Sequence, residues 1–426
     1  MVRPFSIILG KTVRHIARLR GGSGSALPGL FVERIDPRFT KRTLDTLPHG
    51  VVLVSGTNGK TTTTKMIVEL LEGQGLRVFT NRTGSNFSRG VAAALLSEIS
   101  LSGKLAADIA VLELDEAHAV HFVRAIAPRH TLLLNVMRDQ LDRFGEIDTT
   151  AKLLTTIAEH TTHSLTLNRE DPRIAAIAYL IPDTVSLRYF GLAPQLLGQF
   201  PSDDNLHDQS SVKSTQLPAD VMLESFHETT ASCVIDDAAY PTSLKLSGIY
   251  NIFNAAAALA TVRNILGDKA DTSKLIETLS TITPAFGRGE IIEVNGQPLE
   301  LVLVKNPSGF RLGLSSFSPA GYATMIAIND NYADGRDMSW LWDVTFESLR
   351  QDGVEMVSGI RAYDMALRLD YDNVPVRTII PDLKQSLKDF IAAHPDQPKR
   401  IFCTYTAMLA LRREINLVTP VKAIDS

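Results

Sequence analysis

The chain is predicted to be an α/β protein with two open sheets. A central phosphate-loop domain carries a parallel sheet flanked by helices, and a smaller α/β domain follows at the C-terminus. Three observations carry this. Residues 51–65 read VVLVSGTNGKTTTTK, an apolar strand that passes through a glycine-containing loop into a threonine-rich helix start. Apolar strands ending in polar residues follow, DIAVLELD at 108–115 and RHTLLLNV at 129–136, with helix-period patterns around them. Such alternation makes a parallel sheet covered on both faces. After Ile291 the strand pattern starts afresh with IIEVNG, LELVLVK, TMIAIND, VEMVSGI, VRTII and RIFCTY, enough for a second, smaller sheet.

A length of 426 residues leaves room for two or three domains, and an apolar fraction of 44% is ordinary for packed cores. The formal net charge of −4 provides no basic footprint, so no nucleic-acid partner is expected. The two cysteines, Cys233 and Cys403, stand far apart, which fits a reducing compartment and not a disulfide framework. No apolar run approaches the roughly 20 residues of a transmembrane helix. The N-terminal PFSIILG is interrupted by Lys11 before it can serve as a signal-peptide core. A cytoplasmic location is the expectation.

Residues 1–45 form a basic amphipathic segment and linker. Ile7, Ile8, Ile16 and Leu19 are interspersed with Arg3, Lys11, Arg14, Arg18 and Arg20. Two readings stand: a helix lying on an anionic membrane surface, and a helix docked on its own protein, which is preferred. RGGSGSALPG then reads as a joint. The central domain is placed at 46–290, with Gly56, Glu113, Asn135 and Asp139 at the carboxyl ends of its strands, where parallel sheets bind ligands. Within it, 192–240 reads as an exposed polar insertion because of PSDDNLHDQSSVKSTQ. LKLSGIYNIFNAAAALATV resumes the pattern as a glycine turn feeding an alanine-rich helix. The C-terminal domain is placed at 291–426.

The loop Gly56-Thr57-Asn58-Gly59-Lys60-Thr61-Thr62 carries the chemistry. Backbone N–H groups at such a loop and helix start suit a phosphate chain. Lys60 can reach the outer phosphates, and the Thr61 hydroxyl can ligate Mg²⁺. The common phosphate loop has a further glycine where Val54 stands, so the form here is a short one. A plain structural turn is the alternative. The strand before it and the apolar helix pattern after it, Met66, Ile67, Leu70 and Leu71, argue for the phosphate loop.

This short loop resembles the ATP loop of the Mur ligase and folylpolyglutamate synthetase superfamily. Glu113, in LELDEA, stands where those ligases place a Mg²⁺-binding glutamate, and a strand-end carboxylate suits a hard cation. LNVMRDQLDRFGEID resembles a second block, with Gln140 where the ligases carry a metal-binding histidine. The resemblance implies a Mg²⁺ ligand there if the glutamine oxygen replaces the ring nitrogen. Asp139, Asp142 and Arg143 otherwise read as helix-start charges. SGIYNIFNAAAA matches a third block at Asn251 and Asn254, with Tyr250 replacing a histidine, and implies that Asn251 bonds adenine. Asn168 and Asp171, in LNREDP, resemble a segment lining the nucleotide. Arg288, in FGRGE, resembles an arginine on the ATP phosphates near the domain hinge. Lys152 falls where some Mur ligases carry a carbamylated lysine; a solvated lysine is the preferred reading. Too little chain precedes Gly56 for the uridine-nucleotide domain of classical Mur ligases.

IAINDNYADGRDMSWLWDVTFE at 326–347, together with VKNPSGF, RFGEID and YTAM, is similar to the MurT family. Its members are Mur-ligase-like subunits of the enzyme that amidates the peptidoglycan stem peptide. The resemblance implies ATP-dependent amidation of the α-carboxyl of D-glutamate in lipid II to D-isoglutamine, through an acyl phosphate. It implies Lys60 and Arg288 as charge stabilisers, ATP and Mg²⁺ as cofactors, and a place at or near the inner face of the bacterial membrane. It also implies a GatD-type glutamine amidotransferase partner, whose Cys–His pair Asp337 completes. A carboxylate suits that task because it orients the histidine and stabilises its charged form; otherwise Asp337 is a turn residue in a DGRD loop. Many MurT proteins carry a four-cysteine zinc ribbon in the central insertion. Here only Cys233, His207 and His227 stand there, in no standard zinc spacing, so no zinc is expected. Two other classes remain: a different ATP-dependent C–N ligase active without a glutaminase, and a nucleotide-binding scaffold that forms no acyl phosphate.

Overall fold

The computed structural model describes residues 4–19, 27–81, 88–137, 147–200, 217–227, 230–245, 248–283 and 288–421. The basic N-terminal stretch is a helix, Pro4–Leu19, docked on the protein itself. Ile7 on this helix and Val32 on the next, Leu27–Ile35, are buried in the same cluster. Gly10 permits the approach: a Cβ there would lie 2.5 Å from the Val32 side chain and 2.9 Å from that of Leu96. Lys11 turns its ammonium onto the carbonyl of Ile99 at 2.6 Å. Among the described residues no helix is long and apolar enough to cross a membrane.

The central sheet has nine strands: β1 (Val51–Ser55), β2 (Val78–Thr80), β3 (Ile109–Glu113), β4 (His130–Leu133), β5 (Ser164–Asn168), β6 (Ser186–Leu192), β7 (Val221–His227), β8 (Thr230–Ile235) and β9 (Ala238–Ser243). Their order is β2-β3-β1-β4-β5-β6-β7-β8-β9. Every pair from β2 to β7 is parallel, and β7–β8 and β8–β9 are antiparallel. Strands β1, β3, β4 and β5 are buried along their whole length. That is why they read as continuous apolar runs: helices cover both faces of a parallel sheet. The helix Ile249–Leu266 lies against β5 to β7 and against the helix Lys60–Gly73, its alanines allowing close packing.

The exposed polar insertion was expected over 192–240, and part of that span forms strands. From Val221 onward the chain extends the sheet, and 201–216 lie outside the described residues. β8 alternates buried and half-exposed positions, the mark of an antiparallel strand with one solvated face. The turn between β8 and β9 is Asp236-Asp237, both left-handed (φ 48° and 62°), as a two-residue hairpin requires. An Asp-Asp pair between short alternating runs was the available signal.

The second sheet comprises β10 (Arg288–Val294), β11 (Gln297–Leu303), β12 (Ala323–Ala327), β13 (Val354–Ser358), β14 (Val376–Ile380) and β15 (Lys399–Cys403), in the order β10-β11-β15-β12-β13-β14. β10 and β11 form an antiparallel hairpin over Asn295-Gly296, and the remaining pairs are parallel. β11, β15 and β12 therefore end on the same edge. The segments after β11 and after β12, which hold Lys305 and Asp337, leave from that edge.

Candidate functional site

The loop 56–59 leaves β1 between β3 and β4, where successive strands are added on opposite sides. A crevice opens at such a reversal. Gly56 has φ +130°, and a Cβ there would sit 3.0 Å from the Asn135 nitrogen. Gly59, which precedes the helix Lys60–Gly73, has φ +90°, and its Cβ would meet Asn254 Oδ1 at 2.7 Å. Both positions need glycine for conformation and for room. Asn254 of the alanine-rich helix is thereby placed directly on the loop.

Asn135, at the end of β4, braces the loop. Its backbone carbonyl accepts from Thr57 N at 3.0 Å. Its side chain accepts from Asn58 N at 2.9 Å and donates to Asn58 O at 3.0 Å. Thr57 Oγ1 accepts from Met137 N at 3.0 Å. The cap residue of this helix is Gly59, which offers no side-chain cap, and a helix N-terminus favours an anion.

Lys60 is buried. Its ammonium donates to the carbonyl of Gly56 at 2.5 Å and of Thr57 at 3.4 Å, and pairs with Glu116 Oε1 at 3.0 Å. Burial works to raise the Glu116 pKa, but the Lys60 charge prevails and holds it below the usual carboxylate range. The adjacent Asp115 goes the other way: burial raises it despite the charges of Lys60 and Lys305. Thr61 Oγ1 donates to Glu113 Oε1 at 2.9 Å, so a hydroxyl and a carboxylate meet at the mouth of the loop. These hard oxygens fit Mg²⁺, which takes one or two carboxylates and keeps waters or phosphate oxygens for the rest. Among the described residues no group of three His, Cys, Asp or Glu side chains forms a metal cage.

The C-terminal domain reaches the same loop. Asn306 and Asn58 exchange side-chain hydrogen bonds of 3.1 and 3.4 Å, and Lys305 Nζ donates to the Thr57 carbonyl at 3.2 Å. Asn306 is fully buried and caps the helix Pro307–Ser316 by accepting from Gly309 N at 2.7 Å. Sequence reasoning assigned no role to Lys305, Asn306, Asp115 or Glu116. The Asn-Pro pair at the start of 306–307 was the one local sign of a helix cap there.

Residues 54–262 match the Mur ligase middle domain, and residues 303–408 match the MurT ligase C-terminal domain. The chain is 32% identical to the lipid II isoglutaminyl synthase (glutamine-hydrolyzing) subunit MurT of Streptococcus pneumoniae, over 93% of this chain and 94% of that protein. It is 29% identical to the corresponding subunit of Staphylococcus aureus, over 88% and 89%. The chain belongs to the MurT family. Its fold is shared with MurF from Acinetobacter baumannii (TM-score 0.67, 16% identity, 91% of this chain and 81% of that one). It is shared equally with a pseudomurein peptide ligase from Methanothermus fervidus (TM-score 0.66, 18% identity, 88% and 79%).

The other anticipated positions of this MurT-family chain are less alike. Asn168 is buried and engaged in bracing, donating to the Leu134 carbonyl at 2.9 Å and accepting from Glu170 N at 3.0 Å. Asp171 likewise accepts from Val136 N at 2.6 Å, which ties the ends of β4 and β5 together. Asn251 sits half-buried in the first turn of the alanine-rich helix, where Tyr250 packs on Phe200 with ring centroids 5.2 Å apart. Gln140, with Asp139, Asp142 and Arg143, lies outside the described residues; Arg288 is described only as the first residue of β10. Lys152 is exposed on the helix Ile147–Glu159. Cys233 is buried in β8, where burial pushes its thiol up to about 12; His227 is exposed, and His207 lies outside the described residues.

Asp337 is half-buried, and its carboxylate accepts from Ser339 N at 3.0 Å, opening the turn Ser339–Asp343. The loop is anchored by a different aspartate. Asp334 is buried and accepts from Thr406 N at 2.7 Å, from the Thr406 hydroxyl and from Asn331 N. Burial raises its pKa.

Proposed function

We propose that this chain is the ligase subunit of a glutamine-dependent lipid II isoglutaminyl synthase. It activates the α-carboxyl of D-glutamate in the stem peptide with ATP and passes it to ammonia from a GatD-type partner subunit. The observation that carries the reading is end-to-end similarity to named MurT subunits in a chain whose short phosphate loop keeps Lys60, Thr61 and Glu113 together.

In the proposed reaction a carboxylate oxygen of the substrate attacks the γ-phosphorus of ATP. The bond to the β,γ-bridging oxygen breaks, and ADP leaves. Ammonia then attacks the acyl carbon, phosphate leaves, and the nitrogen loses a proton to give the amide. The loop and first-turn amides, with Gly56, Thr57, Asn58, Gly59 and Thr62, hold the phosphate chain. Lys60 exchanges its carbonyl partners for phosphate oxygens. Arg288, Asn168, Asn251 and Asn254 are assigned to the nucleotide. Mg²⁺, held by Thr61 and Glu113 and by Gln140 if it reaches the site, would offset charge on the phosphates. Preorganised charge at a site with little water is the dominant contribution in reactions of this kind.

Asp337 is assigned to the partner's glutaminase centre, where it orients the histidine of the Cys–His pair. The surface around its loop supports a covered face. Tyr363, Leu367 and Tyr371 recur at four-residue spacing on the helix Ala362–Tyr371 and are all exposed. Trp342, half-exposed and five residues beyond Asp337, packs edge-on against Tyr371 at 5.0 Å. Exposed aromatics gathered in one place are typical of an interface core. A lipid-linked substrate places the reaction at the inner face of the membrane.

The test is reconstitution with the amidotransferase from the same cell, followed by lipid II amidation with glutamine and ATP. The expected result is D-isoglutamine formed only when both subunits and both small molecules are present. Transfer of a whole amino acid by the isolated chain would indicate the other ligase class. ATP binding without ADP formation would indicate a scaffold.

A further inference from the structure

The two N-terminal helices each turn one face to the protein and leave one face outward. On Pro4–Leu19, Ser6, Ile7 and Gly10 are buried, while Ile8, Thr12 and His15 recur at helical spacing and are exposed. On Leu27–Ile35, Val32 is buried, while Phe31, Arg34 and Ile35 are exposed. Gly29 shows how closely the inner side is packed. A Cβ there would lie 2.0 Å from the Arg89 carbonyl oxygen on the helix Ser88–Glu98. The two helices run antiparallel, because Ser6 donates to Asp36 at 3.3 Å and Gly10 lies against Val32. Ile8 therefore stands level with Arg34 and Ile35 across the hairpin.

Ile8, Phe31 and Ile35 are 52%, 47% and 41% exposed. Large apolar side chains gathered in this way are unfavourable in water unless something covers them. The charge around them is basic. Residues 1–45 hold nine lysines and arginines against three acids, in a chain whose net charge is −4. Those acids are already engaged. Asp36 pairs with Arg42, Asp45 pairs with Lys41 at 3.3 Å, and Glu33 is half-buried beside the Arg89 charge. Arg34 and Arg38 are exposed, and among the described residues no carboxylate pairs with either. Apolar side chains interspersed with free guanidiniums match the two layers of a bilayer surface, acyl chains beneath anionic headgroups.

We propose that the outer face of this helix hairpin is a docking surface for an anionic phospholipid bilayer. Ile8, Phe31 and Ile35 enter the headgroup layer, and Arg34 and Arg38 bind lipid phosphates. The purpose rests on the lipid-linked substrate assigned above, whereas the binding itself does not. A carboxyl carried on a lipid stays at the bilayer, so a ligase held there meets it by diffusion within a surface. Both kinds of contact are needed. Binding of an amphipathic face grows with the apolar area it buries and with its attraction to anionic lipid, and salt screens the second contribution.

The test uses the reconstituted two-subunit complex and its co-flotation with vesicles. One set is phosphatidylcholine alone, and the other is phosphatidylcholine mixed with phosphatidylglycerol. The complex is expected to bind the mixed vesicles roughly tenfold more tightly, and to lose most of that preference in high salt. Phe31→Ser with Ile35→Ser, and Arg34→Gln with Arg38→Gln, should each weaken binding to mixed vesicles about tenfold. Arg34→Lys with Arg38→Lys should retain it. Ile291→Ser, which alters an exposed apolar residue of the C-terminal domain, is the control and should bind as the unsubstituted complex does. Amidation of lipid II embedded in mixed vesicles should fall with binding, while amidation of detergent-solubilised lipid II is unchanged. Failure of the unsubstituted complex to bind mixed vesicles would overturn the proposal, as would Ser and Gln variants that bind equally well. Loss of the amidotransferase subunit from the Phe31→Ser, Ile35→Ser complex would show that a protein covers this face, and would overturn it too. If the unsubstituted complex amidates lipid II in neither form, the ligase reading fails, while vesicle binding still decides the role of the hairpin.

Discussion

The loop after β1 and the loop after β12 both leave the carboxyl end of a parallel strand, but they are built in opposite ways. The first is enclosed. Its two glycines are hemmed by Asn135 and Asn254, its lysine is buried, and both domains bond to it. The second is anchored at one buried aspartate, Asp334, while Asp337 and Trp342 retain access to solvent and aromatic side chains gather beside them. An enclosed loop of backbone donors suits a small anion. An open loop with a fixed base and exposed rings suits a protein. The same sheet-edge position is thus built in two ways, and burial separates them.

The comparison predicts separable defects. Lys60→Ala should give the largest, a loss of ATP-dependent amidation of at least 10²- to 10³-fold, on the order seen when a preorganised donor is removed. Circular dichroism should show a folded chain, and the partner's glutaminase should survive. Near-normal turnover by this variant would remove the enclosed loop from the chemistry.

Asp337→Asn should strike the other half. An asparagine presents a donor and no charge, which favours the wrong histidine tautomer, and losses on the order of 10⁴ are known for such a change. Glutamine hydrolysis by the assembled pair should fall, ATP binding should hold, and added ammonia should restore amidation. Asp343→Asn is the control in the same loop. If it alone abolishes hydrolysis, the assignment moves to Asp343.

Gly59→Ala should be intermediate. The added methyl must adopt φ near +90° and displace Asn254, which lies 2.7 Å from the ideal Cβ position. Strain of about 1–3 kcal/mol at the loop should weaken nucleotide affinity about tenfold or more, with glutaminase unaffected. Unchanged ATP affinity would mean that the loop relaxes freely and is not the rigid cradle described.

The smallest effect concerns the sheet beneath the enclosed loop. His130 in β4 is buried, with its ring bonded to Ser164 at 2.7 Å and edge-on to His163. Burial, with help from the His163, Arg129 and His49 charges, lowers its pKa to about 3. The unfolded chain protonates this histidine near 6.5 and the folded chain does not. Stability is therefore lost as pH falls below about 6.5 toward 3, by up to about 1.4 kcal/mol per pH unit from this group. His130→Asn should flatten the decline of thermal midpoint between pH 6 and 4. A slope unchanged by the substitution would show that other groups govern it.

Local sequence determined much of the central domain. The glycines and lysine of 56–60 are neighbours in the chain, and the apolar strands around them announce a sheet buried on both faces. The second sheet was legible for the same reason. The hairpins β7 to β9 were obscured by polar residues, because an antiparallel edge with one wet face carries little apolar signal. The similarity of 326–347 to the MurT family marked the open loop, but not that Asp334, rather than Asp337, anchors it.

What only the tertiary structure decided was which charges meet. Lys60 and Glu116 are 56 residues apart, and Asn58 and Asn306 are 248 apart, yet each pair is in hydrogen-bond contact. No periodicity encodes such encounters. They follow from strand order and from the docking of one sheet's edge on another's loop. The reading of 56–60 as a tight glycine loop was open to sequence alone, since its conformation depends on adjacent residues. Folding brought Lys305 and the buried Glu116 to that loop, since long-range pairing is fixed only when the domains close on each other.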